Sequence, residues 1–210
     1  MFAPGPRIDY DIRTYRYHRK QSTSKSAKAK IAAGAIVGTI VPTLLFAKKQ
    51  NTSIFKMKYG FKEMFALSAS SIGCGLASGV IFDKKEYRKQ KVHEGVFQLM
   101  NSTFPMVLTA GVYSLSDKIK PLQKRAFKIG ATVLALFGGM QLAAKLSNII
   151  NDPYDKVPDR KLTMKDSVAN IDDAIGVLVL SRVPFAQKLQ VEKILPAIYS
   201  LCGYRAGTSS

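Results

Sequence analysis

The chain has 210 residues, 47% of them hydrophobic and 22% charged, with 32 Lys plus Arg against 14 Asp plus Glu and a formal charge of +18. This length allows one domain with a short appendage, and two cysteines, Cys74 and Cys202, are too few and too far apart for a disulfide framework or a metal clip. The charge draws the chain toward anions, which leaves lipid headgroups and nucleic acid as partners to weigh.

Distribution separates the two. Long apolar runs alternate with short clusters of Lys and Arg, the block pattern that membrane insertion requires. Because the clusters flank the apolar runs, a bilayer with anionic headgroups is the expected partner and nucleic acid is disfavoured.

Residues 1–30 form a basic tail, in which Arg7, Arg13, Arg16, Arg19, Lys20, Lys25, Lys28 and Lys30 face only Asp9 and Asp11. Residues 21–29, rich in Ser, Lys and Ala, read as a linker. Tyr10, Tyr15 and Tyr17 between the arginines suit a membrane interface, and would also suit stacking on single-stranded RNA. Residues 31–47 make the first apolar run, bracketed by Lys28, Lys30, Lys48 and Lys49, and containing Pro42. That run starts too late for a secretory signal and reads as an uncleaved anchor; a likeness to a mitochondrial presequence is weakened by Asp9 and Asp11.

The second run, 64–82, carries no charge. The third, 95–115, is interrupted by Gln98, Asn101, Ser102, Pro105 and Thr109, and the fourth covers 129–144. Residues 31–145 are therefore read as a transmembrane bundle of about four helices. Residues 146–210 follow as a loop and a helical hairpin. Thr163 and Asp166 open its first helix, which carries Val168, Ile171, Ile175 and Leu178 on one face and is closed by Pro184. In the second helix, Val191, Ile194, Leu195, Ile198, Leu201 and Cys202 make the apolar stripe. Arg182 interrupts the first and the second is short, so the pair is expected to dock by its stripes rather than cross.

Small residues recur every four positions in three runs: Gly34 and Gly38; Ser71, Gly75 and Gly79; Ala131, Ala135, Gly139 and Ala143. Such ladders let helix backbones approach closely in lipid, within one bundle or between copies of the chain. In the third run Gln98, Asn101, Ser102, Pro105 and Thr109 share one helix side, which should face the bundle interior. That stripe is either interhelical hydrogen bonding or a polar path for a small solute.

Catalytic residues, cofactor sites and metal sites are not expected. His18 and His93 are isolated, Asp172 and Asp173 point about 100° apart on a helix, and no phosphate-binding, zinc-protease or serine-hydrolase motif occurs. The fold expected is all-α: an integral membrane bundle of about four spans with a C-terminal pair of amphipathic helices. The function expected is a non-enzymatic membrane scaffold or assembly protein, partnered through its C-terminal helices or with a second copy of itself. A passive channel or small-solute transporter is the alternative, and a soluble helical nucleic-acid-binding protein comes third. Counting basic residues by side places both termini in the cytoplasm.

Overall fold

The computed structural model describes residues 23–116, 118–153 and 191–209. Among these, all regular structure is helical: α1 (Lys25–Lys49), α2 (Phe61–Phe82), α3 (Arg88–Ser116), α4 (Arg125–Asn151) and α5 (Leu195–Thr208), with short turns between them. Among the described residues three helices are long and apolar enough to cross a membrane: Lys25–Lys49, Phe61–Phe82 and Phe127–Asn151. With 29 residues α3 is the longest helix among the described residues, but its polar side chains keep it from that set.

The helix α1 begins inside the stretch expected to be a linker. Ser24 is its N-cap, with the Ala27 amide donating to Ser24 Oγ at 3.2 Å. Lys and Ala are strong helix formers, and Ala27 is buried, so capping and packing recruit the segment. Pro42 is accommodated within α1, where it leaves the Gly38 carbonyl without its intrahelical donor.

Contacts fix the directions of the helices. Gly38 of α1 lies against Ser70 and Cys74 of α2, and Gly34 against Cys74 and Ser78, so these helices are antiparallel. Ser68 of α2 meets Ser102 of α3, and Gly95 meets Leu76, which makes that pair antiparallel too. Gly139 of α4 packs on Pro105 of α3, while Asn151 reaches the His93 carbonyl, again antiparallel.

The helix α5 packs against the bundle by a face rotated from the expected stripe, sharing Leu195 and Cys202 with it. It lies lengthwise among α1, α2 and α3, and runs parallel to α2: Leu195 packs with Met64 and Leu67, Gly203 opposes Gly75, and Gly207 opposes Gly79. Its buried face is Leu195, Tyr199, Cys202, Gly203, Ala206 and Gly207. Ile194 and Leu201 of the expected stripe are exposed, at 46% and 61%. The face rotates because two glycines and an alanine allow a closer approach than a row of large aliphatics does. The first helix of the expected C-terminal pair, with Val168, Ile171, Ile175 and Leu178, and the Asp172–Asp173 pair lie outside the described residues.

This bundle has a mixed interior, with Ile31, Met64, Leu67, Phe97 and Leu195 buried beside hydroxyls and amides. Its interior holds Thr39, Thr43, Ser68, Ser71, Gln98, Asn101, Ser102 and Thr109, whereas Ile36, Val37, Ile40, Val41, Leu44 and Leu45 of α1 all face outward. On α4, Leu134 is 74% exposed. Exposed apolar surface this continuous needs an apolar surrounding.

Candidate functional site

Ser71 is the junction of three helices. Its hydroxyl lies 2.7 Å from the Tyr199 carbonyl of α5 and 3.1 Å from the Ala35 carbonyl of α1. A β-carbon on Gly203 would come within 2.5 Å of that hydroxyl, so only glycine permits the approach. One turn on, a β-carbon on Gly79 would stand 2.8 Å from the Gly207 α-carbon. Thr39 and Ser200 hydroxyls, 2.5 Å apart, join α1 to α5.

The small-residue ladders sit on these seams. Ser71, Gly75 and Gly79 are all buried against α5, and Gly38 is buried against α2 with half-buried Gly34 beside it. On α4, Gly139 and Ala143 are buried, while Ala131 and Ala135 are half-buried. A β-carbon on Gly139 would come within 2.5 Å of the Pro105 α-carbon.

The α3 stripe is turned inward: Gln98, Asn101, Ser102, Pro105 and Thr109 are all buried. Ser102 and Ser68 hydroxyls are 2.6 Å apart across α3 and α2, and Gln98 Nε2 donates to Glu94 Oε1 at 2.7 Å. The Thr109 hydroxyl has no hydrogen-bond partner. Tyr199 of α5 donates to the Met106 sulfur at 3.7 Å.

Three polar residues at one end of the bundle escaped sequence reasoning. Lys91 is wholly buried, and its ammonium donates to the Gly207 and Ser209 carbonyls at 2.8 Å each while pairing with Asp83 Oδ2 at 2.8 Å. All three donors of the ammonium are thereby used. The Thr23 hydroxyl donates to the same carboxylate oxygen at 2.8 Å. Burial works against the Asp83 charge, but hydrogen bonds from Lys91, the Lys84 backbone and Thr23 outweigh it and hold this carboxyl below the ordinary aspartate range. The cluster is a C-terminal cap: the last carbonyls of α5 lack intrahelical donors and form the negative end of its dipole, and a lysine from α3 satisfies both. Lys91 is thus an internal charge, unlike the exposed Lys84, Lys85 and Lys89 near it in sequence. Glu94, also buried, stands just before the third apolar run, 95–115.

At the helix ends, Lys30 lies 4.7 Å from the Phe82 ring centre and Lys128 4.4 Å from that of Tyr113, each linking neighbouring helices. Among the described residues no group of three metal-ligating side chains converges. No protein family, curated protein sequence or solved structure matches this chain.

Proposed function

We propose that this is a non-enzymatic integral membrane scaffold or assembly protein, with α1, α2, α3 and α4 crossing the bilayer and basic flanks on anionic headgroups. The observation that carries membrane residence is the outward apolar surface of the long helices, with Ile36, Val37, Ile40, Val41, Leu44 and Leu45 on α1 and Leu134 on α4, around an interior that also holds hydroxyls and amides. For α3, a polar side that faces other helices leaves the opposite side, with Val107 and Leu108, to meet lipid. A scaffold role is supported by how the polar groups are used: Ser68, Ser71, Ser102, Thr39 and Lys91 each bind a neighbouring helix. The outward surfaces of α1 and α4 and the basic ends then remain for lipid or a protein partner, including a second copy.

Alkaline carbonate extraction tests membrane integration, and protein released into the soluble fraction would refute it. Partners retained after mild detergent extraction test the scaffold role. A passive solute path is the second reading, favoured by the unpartnered Thr109 hydroxyl within the α3 stripe. Solute flux through liposomes carrying the purified protein, abolished by Thr109→Val, would replace the scaffold reading with that one.

Orientation follows from charge. One end of the bundle gathers Lys25, Lys28, Lys30, Lys84, Lys85, Arg88 and Lys89, and the tail adds Arg7, Arg13, Arg16 and Arg19 in sequence. The opposite end carries Lys48, Lys49, Lys56, Lys58, Lys62, Lys118, Lys120, Lys124, Arg125 and Lys128. We assign the first end, shared by the N-terminus and the end of α5, to the cytoplasm, since the tail arginines tip the balance. Reporter fusions after Lys58 and after Arg205 should face opposite sides.

A further inference from the structure

We infer that α5 lies at membrane depth beside α2, so that Asp152 and Lys193 stand on opposite sides of the bilayer and α5 belongs to the membrane body rather than to its surface. This rests on the membrane reading above and adds α5 to it.

The argument is one of position along the bundle. Asn151 Nδ2 donates to the His93 carbonyl at 3.3 Å, which places the end of α4 beside the start of α3. That is the end where Asp83, Lys91 and Thr23 meet. Leu195, which opens α5, sits in a core cluster with Met64 and Leu67, against which Phe46, Tyr59 and Phe61 pack. Those residues close α1 and open α2, so they mark the opposite end. From there α5 keeps step with α2, through Tyr199 at Ser71, Gly203 at Gly75 and Gly207 at Gly79, and finishes on Lys91. If α2 spans the bilayer, α5 occupies nearly the same depth, and Asp152 and Lys193 lie on opposite sides.

A helix of 14 residues covers only about 21 Å, less than the hydrocarbon thickness. Backbone carbonyls left bare at that depth would be costly. Lys91 removes this objection by binding the Gly207 and Ser209 carbonyls, while Asp83 balances its charge. The buried ion pair is what allows so short a helix to stay within the bundle.

The test is labelling by a membrane-impermeant maleimide in sealed vesicles, with single cysteines introduced into a Cys74→Ala, Cys202→Ala chain. Lys85→Cys and Lys56→Cys mark the two ends. Asp152→Cys should label from the same side as Lys85→Cys, and Lys193→Cys from the same side as Lys56→Cys. Protease sites inserted after Asp152 and after Lys193 in the chain with native cysteines give the same readout without altering Cys202. Labelling of Asp152→Cys and Lys193→Cys from one side overturns the inference while leaving membrane residence intact. Release by carbonate overturns both.

Discussion

Gly75 and Gly203 face each other so closely that a β-carbon on Gly75 would lie 2.5 Å from the carbonyl carbon of Gly203. Real β-carbons do not approach a backbone in this way, so α2 and α5 hold their separation only while both positions are glycine. In lipid, where apolar burial between helices gains little, that proximity is the source of the packing.

Gly75→Val and Gly203→Val should each push α5 off α2, at a cost of about 1–3 kcal/mol typical of an overpacked core. Gly73→Ala is the control, since nothing lies within 4 Å of its added carbon. Thermal unfolding in detergent should show a lowered midpoint for the first two variants and none for the third. Equal behaviour of all three would mean the close approach is not what holds α5.

Lys91→Met should be more damaging than any loss of a surface lysine, because it leaves the Asp83 carboxylate and the α5 carbonyls buried without a donor. Breaking one side of a buried pair costs about 3–5 kcal/mol, and replacing both partners by apolar groups costs far less. Lys91→Met combined with Asp83→Leu should accordingly recover much of the loss in a double-mutant cycle read by unfolding. Strictly additive losses would mean the two side chains do not act as a pair. Lys85→Met, at an exposed position, should be neutral within about 0.5 kcal/mol.

Acid should loosen the same latch. The Asp83 carboxyl is held below the ordinary aspartate value of about 3.9, so its contribution is complete above that value and is lost as pH falls through the depressed folded value. Proteolytic cleavage within α5 should increase on acidification below about pH 4, in a step absent from Asp83→Asn. A step of the same size in that variant would assign it to another carboxylate.

How much of this could be read in the sequence depends on whether the signal is local. The apolar runs are local, and α1, α2 and α4 fall on them. The inward side of α3 is also local, because Gln98, Asn101, Ser102, Pro105 and Thr109 share a helical face wherever that helix packs. Gly203 and Gly207 repeat the four-residue spacing of Gly75 and Gly79, a local signal of the packed face, but Ile194, Ile198 and Leu201 make a more apolar stripe beside it that shares Leu195 and Cys202 with the packed side. The pairing of Lys91 with Asp83 had no such signal. In sequence it is one lysine in a basic cluster, and only the return of α5 to that end of the bundle makes it an internal cap.

Leu195 and Leu201 give the sharpest test of which face of α5 is inside. Leu195 is fully buried among Met64, Leu67, Met106 and Tyr199, whereas Leu201 is 61% exposed on the same helix. Truncating a packed leucine to alanine loses transfer energy and leaves a cavity, together costing about 2–5 kcal/mol in a water-soluble core. In a bilayer the transfer part shrinks because lipid is itself apolar, but the lost packing remains. Leu195→Ala should therefore lower the unfolding midpoint in detergent and expose α5 to protease, and Leu201→Ala should do neither. The reverse order would return α5 to the stripe of Ile194, Ile198 and Leu201, and would remove the basis for placing it at membrane depth beside α2.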